Sequence, residues 1–203
     1  MKKVKISGNQ EKIIEIIERA LREGKILILP TDTVYGLVAD ARQERAVKKI
    51  FRIKKRPFSK PLLLFVKDIE MAQKFAEVNQ FQERFLRKFW PGKVTFILKR
   101  KGNLPAILFA GKKTIGLRAS NYKLIRDLFE KIDFPLVQTS ANLSANPAPT
   151  KAEEILEQFK DQKLKPDLIV DAGDLGQAKP STIVDLSGDK PAVLRQGEVF
   201  LNL

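Results

Sequence analysis

Short apolar runs recur along the chain and indicate buried β-strands. The first, at residues 25–30 (KILILP), is almost continuously hydrophobic, which is typical of a strand covered on both faces. Similar runs predict further strands at 62–66, 94–98, 114–118, 136–139, 168–171, 182–186 and 193–195.

Between these runs, apolar residues recur at the three- and four-residue spacing of amphipathic helices. The opening helix has Asn9 as a candidate N-cap, and Gly24 follows it where a C-terminal cap is expected. Strands and helices mix without a linker or repeat, so the sequence predicts one α/β domain over residues 1–203. The C-terminal strands follow one another through short turns, which favours a mixed sheet. Further helices are predicted at about 44–53, 80–89, 122–131 and 151–160.

The chain is strongly basic. Its 203 residues include 38 Lys and Arg against 24 Asp and Glu, a formal net charge of +14. This charge indicates a polyanionic partner such as a nucleotide, pyrophosphate, RNA or an acidic membrane. The sequence contains no Cys and no His, which excludes disulfides, thiolate metal sites, a Cys nucleophile and a Ser-His-Asp triad. Any catalysis therefore uses Lys, Arg, hydroxyls, carboxylates and backbone amides.

The sequence has no apolar core of signal-peptide length and no run approaching the roughly 20 apolar residues of a membrane span. We therefore expect a cytoplasmic protein. It also has no Walker loop and no GxGxxG motif, so a nucleotide site would have to be built in another way.

The first chemical segment is PTDTVYGL, at residues 30–37, directly after a predicted buried strand. Loops at strand ends bind ligands in α/β proteins, and this one offers two hydroxyls, a carboxylate and a phenol. An ordinary strand-to-helix turn, with Thr and Asp capping local amides, explains the segment equally well.

The second segment is IKKRPFSKPL, at residues 53–62. It ends a stretch, 42–60, with nine basic residues and one acid, which is usually a solvated helix face. Pro57 and Pro61 stiffen the loop and fix the directions of Arg56 and Lys60, as a polyphosphate site requires.

Three later segments offer further polar groups. Residues 138–150 (QTSANLSANPAPT) combine hydroxyls and amides before a predicted helix that Thr150 could cap, which suits either a phosphate cradle or a polar loop. Arg118 and Arg195 each end an apolar run, where an arginine forms either an ion pair or a fork for a carboxylate or phosphate.

Together these segments resemble the YrdC-like (TsaC) family of threonylcarbamoyl-AMP synthases, in its short single-domain form. The resemblance runs from about Lys25 to the C-terminus. It rests on six motifs in order: PTDTVYGL, KxRPxxKPL, GLR, TSANxSxxPAPT, STIVD and LRxG.

The resemblance implies a twisted open mixed α/β sheet with flanking helices and a large basic cavity. It also implies a nucleotidyltransferase that joins L-threonine, bicarbonate or CO2 and ATP into threonylcarbamoyl-AMP and pyrophosphate, for tRNA modification. Mg²⁺ is expected to arrive with ATP, with no metal site in the protein. Proteins that transfer the threonylcarbamoyl group to tRNA are the expected downstream partners.

The resemblance also implies ten site residues. For L-threonine these are Thr33, Arg118, Ser140 and Ser181. For ATP they are Arg56 and Lys60, which are also the implied catalytic pair, with Thr114, Asn142, Thr150 and Arg195. The sequence departs from the family pattern at three points: Ala119-Ser120, where many relatives have a residue and then Pro; Ala145, where glycine is common; and Phe65, where some relatives place a polar ligand.

Two other interpretations remain open from the sequence. One is a basic RNA-binding protein of the same fold, for tRNA or double-stranded RNA, without this activity. The other is a paralogue that makes a different carbamoyl-adenylate.

Overall fold

Ten strands form one sheet in the computed structural model, which describes residues 1–6, 10–176 and 179–201. The strands are β1 (Lys2–Lys5), β2 (Leu27–Leu29), β3 (Gly36–Asp40), β4 (Leu63–Phe65), β5 (Val94–Lys99), β6 (Thr114–Arg118), β7 (Leu136–Ser140), β8 (Leu168–Asp171), β9 (Thr182–Asp185) and β10 (Ala192–Arg195). The helices are α1 (Gln10–Arg22), α2 (Glu44–Lys54), α3 (Ile69–Phe75), α4 (Gln80–Phe89), α5 (Lys123–Phe129) and α6 (Ala152–Phe159), with a 3₁₀ turn at Ala106–Phe109.

The sheet is mixed, as the sequence predicts. Its strand order is β1-β8-β2-β3-β7-β4-β6-β5-β9-β10. β8 pairs in parallel with β1 and β2, β4 with β6, and β5 with β9, while the other neighbours are antiparallel. Strands distant in sequence are therefore adjacent, and segments from both halves of the chain meet on one face.

Local sequence explains several helix boundaries. α1 ends at Arg22, and Gly24, with a φ of 72° and an N–H bond to the Leu21 carbonyl, forms the left-handed cap that follows it. α4 begins with a capping box in which Asn79 and Gln82 bond reciprocally to each other's backbone N–H. The predicted N-cap of α1, Asn9, lies outside the described residues.

The hydrophobic core covers the central strands on both faces. β2, β3 and β8 are buried throughout, because helices pack over the sheet. No helix among the described residues is both long and apolar enough to cross a lipid bilayer.

The structure corrects the interpretation of the segment at 30–37 as a strand-to-helix turn. The segment reverses the chain into β3, which pairs with β2 on one side and β7 on the other. β3 has the sequence GLVAD, in which Gly and Ala have low β-strand propensity. Its conformation is fixed by two neighbouring strands rather than by local propensity.

Candidate functional site

A cavity of about 450 Å³ opens on one face of the sheet and is lined by residues of β4, β5, β6, β7, β9 and β10 and of the loop before β3. Leu63 and Ile97 line the cavity, and both are register partners of Gly116, which lies between them on β6. A Cβ at Gly116 would lie 2.4 Å from Leu63 Cδ2, so only glycine allows these side chains to close over β6.

The cavity wall is cationic. No Asp or Glu of the described residues lines it. The charged side chains that do are all positive: Arg56, Lys60, Lys112, Arg118 and Arg195.

Arg118 is the most buried of these cations, with 4% of its surface exposed. It ends β6, and its Nε donates to the Gly92 carbonyl at 2.9 Å. Nη2 lies 2.7 Å from Asp32 Oδ1, while Nη1 makes a long contact of 3.4 Å with Thr33 Oγ1. Burial lowers the pKa of Arg118, and the Asp32 carboxylate opposes that shift. The ring of Phe65 lies beneath the guanidinium, 5.7 Å from its carbon.

Asp32 is held by groups other than Arg118. Ser120 Oγ donates to Oδ1 at 2.6 Å, and the Asn121 N–H donates to Oδ2 at 3.3 Å. On the same loop, Thr31 Oγ1 bonds to the Val34 carbonyl and lies 3.0 Å from Thr33 Oγ1. The carboxylate is thus fully engaged in positioning the arginine.

The loop after α2 contributes Arg56 and Lys60. Arg56 donates from Nε to the Lys60 carbonyl at 3.2 Å and from Nη2 to the Pro61 carbonyl at 2.8 Å. Burial lowers the pKa of Arg56. Lys60 is exposed and extends along the cavity wall without such a bond to its own loop.

Lys54 is a buried cation that the sequence analysis did not select. Its Nζ donates to the Ser140 carbonyl at 2.5 Å, to the Asn142 carbonyl at 2.7 Å and to Asn142 Oδ1 at 2.9 Å. Burial, aided by the charge of Arg56, lowers its pKa to about 7. Lys54, the first residue of the KxRPxxKPL motif, therefore connects α2 to the loop after β7. From sequence alone, a lysine at the end of a helix is expected to be exposed to solvent.

The loop after β7 is constrained at several points. Ser140 Oγ donates to Asn142 Oδ1 at 2.6 Å, and Asn142 Nδ2 donates to the Asn146 carbonyl at 2.5 Å. Ala145 has a φ of 74°, in the left-handed region. This conformation gives a physical reason why glycine suits the position.

The C-terminal segment brings Arg195 to Ser181. The guanidinium donates to the Ser181 carbonyl from Nη2 at 2.7 Å and to Ser181 Oγ at 3.2 Å. Ser181 Oγ also lies 2.9 Å from Thr95 Oγ1. A Cβ at Gly197 would lie 2.1 Å from the Pro180 carbonyl oxygen, so glycine permits this close approach. Desolvation lowers the pKa of Arg195, and the charge of Arg118 lowers it further.

The structure brings together seven of the ten predicted site residues on the cavity lining: Thr33, Arg56, Lys60, Arg118, Ser140, Ser181 and Arg195.

The other three predicted residues do not line the cavity. Thr114 lies at the far end of β6, on the same face as Arg118. The Asn142 side chain is buried in the hydrogen bonds described above. Thr150 donates to Asp174 Oδ1 at 3.2 Å. It does not cap α6, because the N-cap there is Lys151, without a side-chain bond.

Sequence analysis named neither Lys112 nor Gln138 as a site residue, although Gln138 opens the polar segment at 138–150; both line the cavity. Lys112 follows a 3₁₀ turn and belongs to none of the six motifs, so nothing local distinguishes it from other exposed lysines. Gln138 interrupts the apolar run of β7, a signal that could have indicated a strand facing a polar cavity.

The described residues contain no cluster of three or more Asp or Glu side chains that could hold a metal ion. Asp32, the acid of the segment at 30–37, is paired with Arg118.

Comparison with known proteins gives a consistent picture. The Sua5/YciO/YrdC family model, described as "Telomere recombination", matches residues 19–197. A Methanocaldococcus jannaschii protein, provisionally named as a threonylcarbamoyl-AMP synthase, is 38% identical over 190 residues, covering 94% of this chain and 88% of that protein. The threonylcarbamoyl-AMP synthase of Pyrococcus abyssi is 35% identical over 185 residues, covering 91% of this chain. The chain spans only 54% of the P. abyssi protein.

Solved structures have the same fold. P. abyssi Sua5 complexed with L-threonine matches 97% of this chain and 57% of that chain, with a TM-score of 0.87 and 34% identity. Escherichia coli YciO matches 97% of this chain and 94% of that chain, with a TM-score of 0.85 and 30% identity.

Proposed function

The chain belongs to the Sua5/YciO/YrdC family, and from that premise we propose that it is an L-threonylcarbamoyl-AMP synthase. The reaction joins L-threonine, bicarbonate or CO2, and ATP, and releases pyrophosphate. The observation that carries the proposal is the cavity of about 450 Å³, which is lined by five cations and by no carboxylate from the described part of the chain.

This charge distribution suits the proposed substrates. L-threonine supplies a carboxylate, its carbamate adds a second negative charge, and ATP supplies a triphosphate. Bringing such anions together requires fixed positive charge in a partly desolvated site. Burial lowers the pKa values of Arg56, Arg118 and Arg195, which means that the protein only partly compensates the loss of hydration of these charges. Bound anions would remove that cost.

We place the threonine carboxylate at Arg118. Its long Nη1 contact with Thr33, at 3.4 Å, is the weakest of its bonds and the one that a carboxylate can replace. Thr33, Ser140 and Ser181 line the same cavity and offer hydroxyls for the amino acid. The structure of P. abyssi Sua5 complexed with L-threonine supports an amino-acid site in this fold.

We place the ATP phosphates between the Arg56–Lys60 loop and Arg195. Lys60 and Lys112 have exposed ammonium groups that can follow a triphosphate, whereas Arg56 is already anchored to its own loop. The proposed catalytic contribution of Arg56 and Lys60 is to hold the phosphates in line and to stabilise the charge on departing pyrophosphate. Thr114, Asn142 and Thr150 do not line the cavity. In this proposal they contact the nucleotide after the loops around them rearrange.

In the proposed reaction, the amine of threonine adds to CO2 and loses a proton to form a carbamate. A carbamate oxygen then attacks the α-phosphorus of ATP, forming an O–P bond as the bond to pyrophosphate breaks. Formation of the carbamate in solution needs no protein base, which agrees with a sequence without His. We propose that Mg²⁺ enters as part of the ATP substrate, because Asp32 is committed to Arg118.

The test is pyrophosphate release from ATP by the purified protein. Release that requires both L-threonine and bicarbonate supports the proposal, with serine a poorer substrate. Equal turnover with no amino acid would indicate a simple ATPase and contradict it.

A second candidate, a synthase for another amino-acid carbamoyl-adenylate, rests on Phe65. This ring is buried beside Arg118 where some relatives place a polar ligand, and YciO shares the fold. Pyrophosphate release with a panel of amino acids distinguishes the two, because the second candidate requires faster turnover with an amino acid other than threonine.

The setting of the reaction is also a proposal. The mixed anhydride product is expected to be labile, so proteins that transfer its acyl group to tRNA would act directly downstream. A cytoplasmic location stays a prediction.

A further inference from the structure

The exposed face of α2 has a basic stripe that the cavity does not use. The helix contains five cations and one acid. Arg45, Lys48, Arg52 and Lys55 are all exposed, and their spacing of three, four and three residues puts them on one face. We call these four residues the α2 stripe.

Most of the α2 stripe is uncompensated. Lys48 pairs with Glu44 at 2.6 Å on the surface, an interaction worth little in water. Arg45, Arg52 and Lys55 have no ion-pair partner within the described ranges 1–6, 10–176 and 179–201. Arg45, Lys48 and Arg52 also line a groove of about 840 Å³. The other lysines of that groove, Lys25 and Lys49, are paired with Glu23 and Asp167, so its unpaired positive charge comes from the stripe.

An exposed aromatic ring stands at the other end of the stripe. Phe58 is 52% exposed, and its ring lies 4.9 Å from that of Phe51, a buried residue of α2. Packing on Phe51 fixes one side of the ring. Phe58 also lies between Arg56 and Lys60, which line the cavity. Along the chain, the stripe, the ring and the two cations of the cavity wall therefore follow one another within residues 45–60.

We propose that the α2 stripe and Phe58 form a docking surface for an RNA strand, with its phosphates along the stripe and an unpaired base stacked on Phe58. Positive side chains beside an aromatic platform are the combination that binds single-stranded nucleic acid. Arg45 and Lys55 are ten residues apart, about 15 Å along the helix axis, a length over which one duplex strand presents about four phosphates. An acidic protein segment would match the charge but would not require the exposed ring.

The choice of RNA over DNA rests on the proposed function, in which the product modifies tRNA. On that reading, the surface would bring an unpaired loop close to the site where the adenylate forms. The docking itself follows from charge and aromatic exposure, and it can be tested without the reaction.

The stripe is tested with the double substitution Lys48→Gln/Arg52→Gln. The matched control is Arg84→Gln/Lys88→Gln, which removes one Arg and one Lys at the same spacing from the exposed face of α4. The probe is a labelled RNA stem-loop with an unpaired adenosine, and its dissociation constant is measured by anisotropy over a range of KCl concentrations. The α2 double variant is expected to reduce the log–log salt slope by about 1.5, the value for two lost phosphate contacts. The control is expected to leave the slope unchanged.

The aromatic contact is tested with Phe58→Ala. Its matched control is Phe81→Ala, which removes another exposed ring that packs on a helix neighbour, Phe85, at 5.1 Å. Loss of one base-stacking contact is expected to weaken stem-loop binding about 5-fold to 150-fold. Phe58→Tyr should retain binding, and a blunt duplex without a loop should bind Phe58→Ala and the unsubstituted protein alike.

Equal losses in the α2 and α4 variants would overturn the proposal in favour of nonspecific attraction. Competition by polyglutamate as effective as that by RNA, with no effect of Phe58→Ala, would assign the surface to an acidic protein and overturn it as well. Threonine-dependent pyrophosphate release without RNA separates this proposal from the proposed function. This pyrophosphate release should be unchanged in all these variants. If the unsubstituted protein does not release pyrophosphate, the proposed synthase function is wrong, but a positive RNA-binding result still stands.

Discussion

Arg118 is buried, yet its charge is only partly matched inside the protein. Asp32 lies 2.7 Å away and the Gly92 carbonyl accepts from Nε, while Thr33 is a weak partner at 3.4 Å. A guanidinium held in this way is preorganised for a bidentate ligand, because its orientation is fixed before the ligand arrives. Of the two alternatives left open by the sequence, the ion pair is present with Asp32, and the anion-binding fork stays a prediction.

Arg118→Ala is expected to weaken L-threonine binding by about 2 to 5 kcal/mol, the range for truncating a buried charged partner, with a much smaller effect on ATP. Arg118→Lys should restore little, since an ammonium cannot form the planar fork. Calorimetric titrations with threonine and with ATP measure the two affinities. Because truncation leaves Asp32 unpaired, the double variant Arg118→Ala/Asp32→Asn is the control for folding. Unchanged threonine affinity in that folded variant would make the arginine structural.

Lys54 predicts a pH dependence of stability. Burial lowers its pKa from 10.5 to about 7 in the folded protein, so the unfolded chain binds more protons at this site between those values. Stability from this group therefore rises with pH from about 7 towards 10.5, and is constant below and above that window. The free energy of unfolding of the unsubstituted protein minus that of Lys54→Met should increase between pH 7 and pH 9. Urea unfolding followed by circular dichroism measures it, and a pH-independent difference would show that Lys54 keeps its ordinary pKa.

At the scale of elements, the sequence predicted those strands that are continuous apolar runs and those helices whose apolar residues recur every three or four positions. All eight predicted strands and five predicted helices are present, with boundaries that differ by a few residues. β1, β3 and α3 were not predicted. β1 alternates lysines with Val4, and β3 contains Gly36 and Ala39, so neither has a strong strand signal. Both are defined by pairing with strands from distant parts of the chain.

The contrast between local sequence signal and tertiary contacts also explains which residues of the candidate site could be predicted. Motif order located the residues that line the cavity on short, rigid segments, such as Arg118 at the end of β6. The motifs could not show that the Asn142 side chain forms hydrogen bonds within its own loop, or that Thr150 donates a hydrogen bond to Asp174. Lys54 was missed for a related reason. A lysine in a basic helix predicts solvent exposure, and only the tertiary fold supplies the three buried acceptors around its Nζ.

The loop after α2 predicts different outcomes for its two cations. Lys60→Ala should weaken ATP binding by about 1.5 to 3 kcal/mol, the range for hydrogen bonds to charged groups. Arg56→Ala should cost more, because it also removes the two bonds that hold the loop to the Lys60 and Pro61 carbonyls. ATP titrations of both variants at one salt concentration measure these effects.

The control for the loop is Lys48→Ala/Lys49→Ala. These residues pair with Glu44 and Asp167 and do not line the cavity, so their replacement should change ATP affinity little. An equal, small and salt-sensitive loss in all three variants would instead indicate a diffuse basic surface and contradict the phosphate site.

At the scale of the whole molecule, the cavity brings together cations from separate parts of the chain. Arg56 and Lys60 follow α2, Arg118 ends β6, and Arg195 ends β10, the strand at one edge of the sheet. β10 is exposed along its length and is held mainly by β9 and by the bonds from Arg195 to Ser181. An anion that contacts these cations together would link the edge of the sheet to its centre.

Ligand binding should therefore stabilise the entire fold. A ligand at 100 times its dissociation constant adds about 2.7 kcal/mol, which corresponds to a rise in Tm of about 5 to 10 °C for a domain of this size. We expect this rise with an ATP analogue that has a methylene group between the α- and β-phosphorus atoms, and a further rise when threonine is added. Differential scanning fluorimetry measures Tm, and hydrogen exchange should show added protection in β10. KCl at the same ionic strength is the control for general screening of the +14 charge, and Lys60→Ala should reduce the nucleotide effect. If Tm rises equally with KCl and with the analogue, both in the unsubstituted protein and in Lys60→Ala, the stabilisation comes from general screening of positive charge and not from binding in the cavity.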